Sequence, residues 1–393
     1  MRVSTRLGNL LAFLLCLGLI HSVFANPPSR VSRLSKIQGD VAFSPAGENQ
    51  WYDAILNRPF VNFDSLAINS GGYAQLQLGQ AIICLDENTK ITVLNVDNNN
   101  AQFQLDNGLF IIKVWRIKND QNYEIDTPNL AFSITEPGDY EISVTEDGST
   151  TVTVREGRGG IYGENQAYEI VANQSYRFMG TDLDNAESLD IPESRMIEKW
   201  CHNLVTRPEK LISAKYVPVD VIGIGDLDEY GSWLNVADYG PVWYPKDVSA
   251  DWAPYQDGQW LWEEPYGWTW VDNRPWGFAP FHYGRWANAE NRWFWVPCSR
   301  DQEPIYSPAL VAFIGGNGFN IGIELGLSSS ISAVGWFPLG PGDIYIPSYA
   351  VSESYFMAIN QSNALVSQAN LRNVYRNPNA PQRFLNRRIN GAI

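Results

Sequence analysis

The stretch GQWLWEEPYGWTWVDNRPWGFAPFHYGRWANAENRWFWVP, from Gly258 to Pro297, holds eight tryptophans, and 11 of the 15 in the chain fall between Trp233 and Trp295. They are in register. GQWLWEEPYGWTWV (258–271) aligns with GRWANAENRWFWV (284–296), so Gly258 matches Gly284, Trp260 matches Trp286, and Trp268-Thr269-Trp270 matches Trp293-Phe294-Trp295. Each unit reads as strand, turn, strand, and the Trp-x-Trp spacing puts both rings on one face of a strand. YGPVWYP (239–245) and VGWFPLGP (334–341) read as partial copies. A repeated unit of this kind predicts an antiparallel β module over 231–360.

Residues 30–177 predict a second β unit, a sandwich or rolled sheet. Ala74-Gln-Leu76-Gln-Leu78, Phe103-Gln-Leu105 and Ile142-Ser-Val144 alternate apolar and polar residues. NSGG, DNNN, DNG, EPGD and EDGS punctuate the runs as turns. A connector over 178–230 follows. Met196, Trp200 and Leu204 recur every fourth residue and predict one helix over 193–206, ended by Pro208. The segment 361–393, rich in Asn and Arg, reads as a disordered tail. The fold class is thus mainly β: two β units joined by a short helical connector.

The N-terminus sets the expected compartment. Arg2 and Arg6 precede an apolar run, Leu10 to Ile20, of signal-peptide length and short for a bilayer span. Val23 and Ala25 supply the small residues of a cleavage site, so Asn26 is the expected mature N-terminus and the protein is expected in the periplasm or outside the cell. No later stretch is long and apolar enough to predict a span. Without residues 1–25 the chain carries 26 basic against 43 acidic groups, a net −17, which argues against nucleic acid and anionic membrane surfaces. Three cysteines remain. Cys84, in AIICL, reads as a buried thiol on a strand, and Cys201–Cys298 is the pair to test.

No residue pattern predicts catalysis or a cofactor. G-x-S-x-G, H-E-x-x-H and zinc-type Cys/His spacings do not occur. Asp226-x-Asp228-Glu229 lacks the later ligands of a calcium loop and reads as a solvated turn. Glu263 and Glu264 are adjacent and do not form a facing carboxylate pair. His282, in PFHYGRW, reads as a structural histidine; with Tyr283 and Arg285 it would be the first target if a site existed. The tryptophans have three readings: a Trp-filled β core, a stacking platform for an envelope glycan, or a protein-recognition surface. Candidate ligand-binding residues are Trp260, Trp262, Trp268, Trp270, His282, Arg285 and Trp286. Glu263, Glu264 and Asp272 flank the rings and could meet sugar hydroxyls.

GDVAF (39–43), LNRPF (56–60), SGGYAQLQLGQAIICLDENTKITVLNVD (70–97), QLDNGLFIIKV (104–114) and YEIDTPNLAFSITEPGDYEISV (123–144) together resemble the FecR family of bacterial envelope proteins. The resemblance implies a β-rich periplasmic domain, which in well-known members senses the state of an outer-membrane receptor. Those members carry a cytoplasmic segment; here about nine residues precede the apolar run, so only fold and compartment carry over. The stretch from GSW (231–233) to AVSESYF (350–356) is similar to a Trp/Pro/Gly-rich module that follows FecR-like domains in secreted proteobacterial proteins. The expected function is non-enzymatic binding or scaffolding in the envelope, with a protein or glycan partner; the alternative is a polysaccharide- or peptidoglycan-binding protein, with or without hydrolase activity.

Overall fold

The structure, a computed structural model, describes residues 26–203, 207–314, 335–363, 366–378 and 380–388. The expected leader, 1–25, lies outside the described residues. No helix among the described residues is long and apolar enough to cross a membrane.

Seventeen strands between Ser32 and Leu189 form two layers around one apolar core. The layers share the strand Asn100–Val114. Its second half pairs with Ala81–Leu85 on one side and Gly138–Val144 on the other. Its first half pairs with Thr89–Val96 and, in parallel, with Asn122–Asp126. The first layer runs Pro59–Phe60, Ser32–Gln38, Tyr73–Leu78, Ala81–Leu85, the shared strand, Gly138–Val144, Thr150–Glu156, Gln174–Phe178, Ala186–Leu189. The second runs Tyr52–Asp53, Val41–Ser44, Ser65–Ile68, Thr89–Val96, the shared strand, Asn122–Asp126, Ala131–Ile134, Arg158–Tyr162, Ala167–Val171. Strand alternation puts Leu76, Ile83, Ile91 and Phe103 into the shared core.

AIICL is apolar on both faces because both faces are covered. Ala81, Ile83 and Leu85 face the core, whereas Ile82 and Cys84 face the helix Met196–Asn203. Cys84 is therefore not a free thiol: it is bonded to Cys201 on that helix, with Cα atoms 6.2 Å apart, and Cys298 is the buried free cysteine. The Cys201–Cys298 pairing is thus corrected. Period-four spacing finds the helix but not the sheet face it covers.

The connector departs from expectation in two further ways. Ala186–Leu189 still belongs to the first sheet. GIGDLDEYG is no solvated turn: Gly223 takes a left-handed conformation and Ile224–Tyr230 is helical, with Ile224 and Leu227 buried three residues apart. Asp228 accepts hydrogen bonds from the backbone of Ile212 and Ser213, and Asp226 pairs with Arg33.

In the second β unit, the strands Gly231–Val236, Gly240–Pro245, Arg292–Val296 and Arg285–Ala289 form one antiparallel sheet in that order. Gly258–Glu263 pairs with Gly267–Asp272, and Val311–Ile314 with Gly335–Pro338. The expected tail, 361–393, is corrected over its described residues, 361–363, 366–378 and 380–388. Helices Glu353–Asn363 and Gln368–Arg376 pack Phe356, Ile359, Leu371 and Val374 into an apolar cluster, and Asn386 donates to the carbonyls of Trp286 and Pro338. Polar composition suggested disorder; a few apolar residues at helical spacing and two buried asparagines, Asn363 and Asn386, overrule it.

Candidate functional site

The repeat has three hairpins, not two. Each opens on Gly-x-Trp and returns a tryptophan opposite the first. The cross-strand pairs are Trp233–Trp243, Trp260–Trp270 and Trp286–Trp295. The returning ring occupies the space beside the opening glycine: a Cβ at Gly231, Gly258 or Gly284 would fall within 2.6 Å of a ring atom of Trp243, Trp270 or Trp295. Those three rings are buried, and their indole N–H groups donate to Leu227 O (2.7 Å), Asp272 Oδ2 (3.1 Å) and Tyr283 O (2.7 Å). This is the Trp-filled core of the first reading. GSW at 231–233, read together with YGPVWYP, was the signal for the third copy.

The middle hairpin adds a second aromatic pair. Trp262 stands opposite Trp268, centroids 5.6 Å apart and planes at 89°. They remain 56% and 46% exposed, whereas Trp270 is buried and Trp260 is packed against Trp270, Phe313 and Trp336. At the equivalent place the first hairpin has Asn235 opposite Pro241, and the third Asn288 opposite Trp293, which is buried. Glu264 Oε1 accepts a 2.8 Å hydrogen bond from Trp262 Nε1 and fixes one ring. The candidate rim is therefore Trp262, Trp268 and Glu264.

The other predicted site residues are enclosed. Trp286 is buried against Trp252 and Phe281. His282 is fully buried, its Nδ1 2.8 Å from Ser307 O; loss of solvent lowers its pKa to about 3 and keeps it neutral. Arg285 donates to Gly284 O (2.9 Å) and Asp343 O (3.3 Å), and burial lowers its pKa to about 10. Glu263 and Asp272, expected beside the rings as sugar contacts, are 3% and 2% exposed and face protein. No described group of His, Cys, Asp or Glu is placed to hold a metal ion.

Glu263 points away from the aromatic rim because neighbours on a strand alternate. Its Oε1 lies 2.6 Å from Arg58 Nη2, and the Arg58 guanidinium sits 3.8 Å over the Phe43 ring. Asp64 accepts from the backbone of Val61 and Ala46, each at 3.0 Å. Next to them Asn57 Nδ2 donates to Asp272 O (2.8 Å) and Arg274 O (2.7 Å), while Arg33 reaches Asp226 (2.5 Å) and Pro275 O (2.8 Å). Arg33, Asn57, Arg58 and Asp64 were not singled out from sequence. LNRPF sets Asn57 and Arg58 among apolar residues, and that was the available signal. Farther along the junction, Arg116, Lys118, Asp220 and Glu303 line a shallow groove of about 330 Å³ and pair with one another.

Residues 64–158 match the FecR protein family, and residues 224–343 match a family of unknown function, DUF6600. No curated protein matches the chain. Two crystal structures of a candidate anti-sigma factor from Parabacteroides distasonis are similar at 16% identity. One covers 33% of this chain and 60% of its own, with a TM-score of 0.28; the other covers 36% and 64%, with 0.29. The chain thus spans less than two thirds of their length, and likenesses this low carry no functional argument. The two family matches, one on each β unit, make this a FecR-like protein with a C-terminal module of unknown function.

Proposed function

We propose that this is an exported, non-enzymatic envelope protein that binds a protein partner through the rim formed by Trp262 and Trp268. One observation carries the reading. Three hairpins share a cross-strand tryptophan pair whose returning ring is buried, and only the middle one places a further pair where water reaches it. Half-exposed indoles are the usual anchors of recognition surfaces. The 89° angle favours a side chain seated in a corner over a flat sugar ring lying across both indoles. The FecR match supports a regulatory or signalling role in the envelope. The Cys84–Cys201 bond supports an oxidising compartment. The acid and imidazole groups near the rings lean on protein partners in the interior, which supports binding over hydrolysis.

The test is retention of solubilised envelope proteins on immobilised wild type, Trp262→Ala and Trp268→Ala. Both variants are expected to stay folded and to lose the retained partner; unchanged retention by both would discard the reading. Glu264, fixed beside Trp262, favours the glycan alternative, which predicts retention of the wild type on insoluble peptidoglycan. Export predicts a mature mass beginning at Asn26 and, on alkylation without reductant, labelling of Cys298 alone after unfolding.

A further inference from the structure

The junction of the two β units holds a group of charges that the aromatic rim does not use. Arg58 and Asp64 come from the FecR-type domain, and Glu263 comes from the middle Trp hairpin. They are 8%, 1% and 3% exposed. Glu263 lies 2.6 Å from Arg58, and Asp64 is near enough to act electrostatically on both. Glu263 thus pairs with the guanidinium directly, and the charge of Asp64 acts on both from a buried position. An unmatched carboxylate is strongly disfavoured there. The balanced state has one positive guanidinium, one carboxylate and one carboxylic acid.

We infer that Arg58, Asp64 and Glu263 form a proton-controlled latch between the two domains, fastened while the carboxyl pair holds a proton and loosened when that proton leaves. The proton moves between the carboxyl pair and water; no covalent bond between heavy atoms changes. Burial pushes Glu263 up to about 8, against the pull of Arg58, with Asp64 adding to the rise. Burial pushes Asp64 up to about 6, against its two backbone donors and Arg58. Both values lie above those of the solvated acids. The stabilisation they contribute is therefore complete below about pH 4, is lost progressively as pH rises, and is gone above about 8.

Asp272, which faces Arg274 and Asp257, is pushed by burial to about 7 and acts in the same direction. Arg33 and Asp226 form their own pair. Tyr306, which feels Glu263, is raised well above 10 by burial and stays neutral. His282 acts with the opposite sign: its lowered value costs stability as pH falls from about 6.5 toward 3. Arg33 and Asn57 still tie the domains when the latch is loose, as do the bonds Tyr266 Oη to Pro28 O and Tyr306 N to Ser29 O. The expected result is local opening of the junction.

Limited proteolysis of the mature chain under conditions of rapid reclosing reads the opening equilibrium. Wild-type cleavage, corrected for protease activity at each pH, is expected to rise up to tenfold per pH unit between about 7 and 8, where Glu263 is the group that loses its proton on opening, and to flatten above 8. E263Q has no proton to lose and is expected to show at most the weaker slope of Asp272. Asp64→Asn removes the neighbouring charge and is expected to move the flattening point to lower pH. A wild type with no slope, or an E263Q slope equal to that of the wild type, overturns the latch. Should E263Q not fold, D64N decides alone, and an unmoved flattening point overturns it.

Discussion

The middle and third Trp hairpins start from one plan and end in different environments. Both set a tryptophan opposite a tryptophan, over a glycine that has no room for a side chain. In the third, the next pair outward is Asn288 and Trp293, and the tryptophan is buried. In the middle one it is Trp262 and Trp268, and both rings meet water. The inner pair is thus what the fold requires, and the outer pair is what one copy adds. A repeat separates these two uses of tryptophan better than composition can, because the copies that lack a feature show that the fold does not need it.

The sharpest way to break this comparison is to remove inner rings. Trp295→Ala and Trp270→Ala each leave a large cavity and an unpaired backbone or carboxylate acceptor, and should cost about 3–5 kcal/mol. Urea denaturation monitored by far-UV circular dichroism measures this. If either variant loses less than about 1 kcal/mol, the claim of a shared tryptophan core fails for that hairpin.

The glycines test the same idea from the other side. Gly284→Ala puts a methyl group into the Trp295 ring at a residue with φ of +67°, so overpacking and a disfavoured backbone add. A loss of about 2–4 kcal/mol is expected. Gly258→Ala meets the Trp270 ring without a positive φ and should lose less, about 1–3 kcal/mol. A reversed order of midpoints would show that steric contact with the facing strand and its ring, and not backbone conformation, sets the cost.

Much of this was legible in the sequence. Register revealed two hairpins because Gly, Trp and Trp-x-Trp recur at one spacing. The alternation of AQLQL and FQL marked the first sheet. The first hairpin was half hidden, since its strands carry Trp233 and Trp243 singly and lack Trp-x-Trp. Cys84 was placed on a buried strand correctly, but its partner depended on which helix covers the outer face of that sheet, a long-range fact. Of the seven candidate site residues, the wet and dry ones could not be told apart, because alternation assigns a face and not a depth. The junction charges were invisible for the same reason. Arg58 and Glu263 are 205 positions apart, and only docking of the two units makes either a buried group.

The smallest expected stability effect is the one most diagnostic for function. Trp268→Ala removes a ring that is nearly half in water and whose described ring contact is the edge-to-face one with Trp262. It should cost below about 1.5 kcal/mol, the size of one aromatic pair. The Trp262→Ala, Trp268→Ala double-mutant cycle should return a coupling of about 0.5–1.5 kcal/mol and no more. Partner retention should fall by at least an order of magnitude in either single variant, since anchors in binding surfaces lose 2 kcal/mol or more on truncation, by rough rule. Stability and binding would then separate at Trp268 while collapsing together at Trp270, two residues along the same strand and opposite Trp260. If Trp268→Ala proves as destabilising as Trp270→Ala, the outer pair is core as well, and the surface that binds must be sought elsewhere on the module.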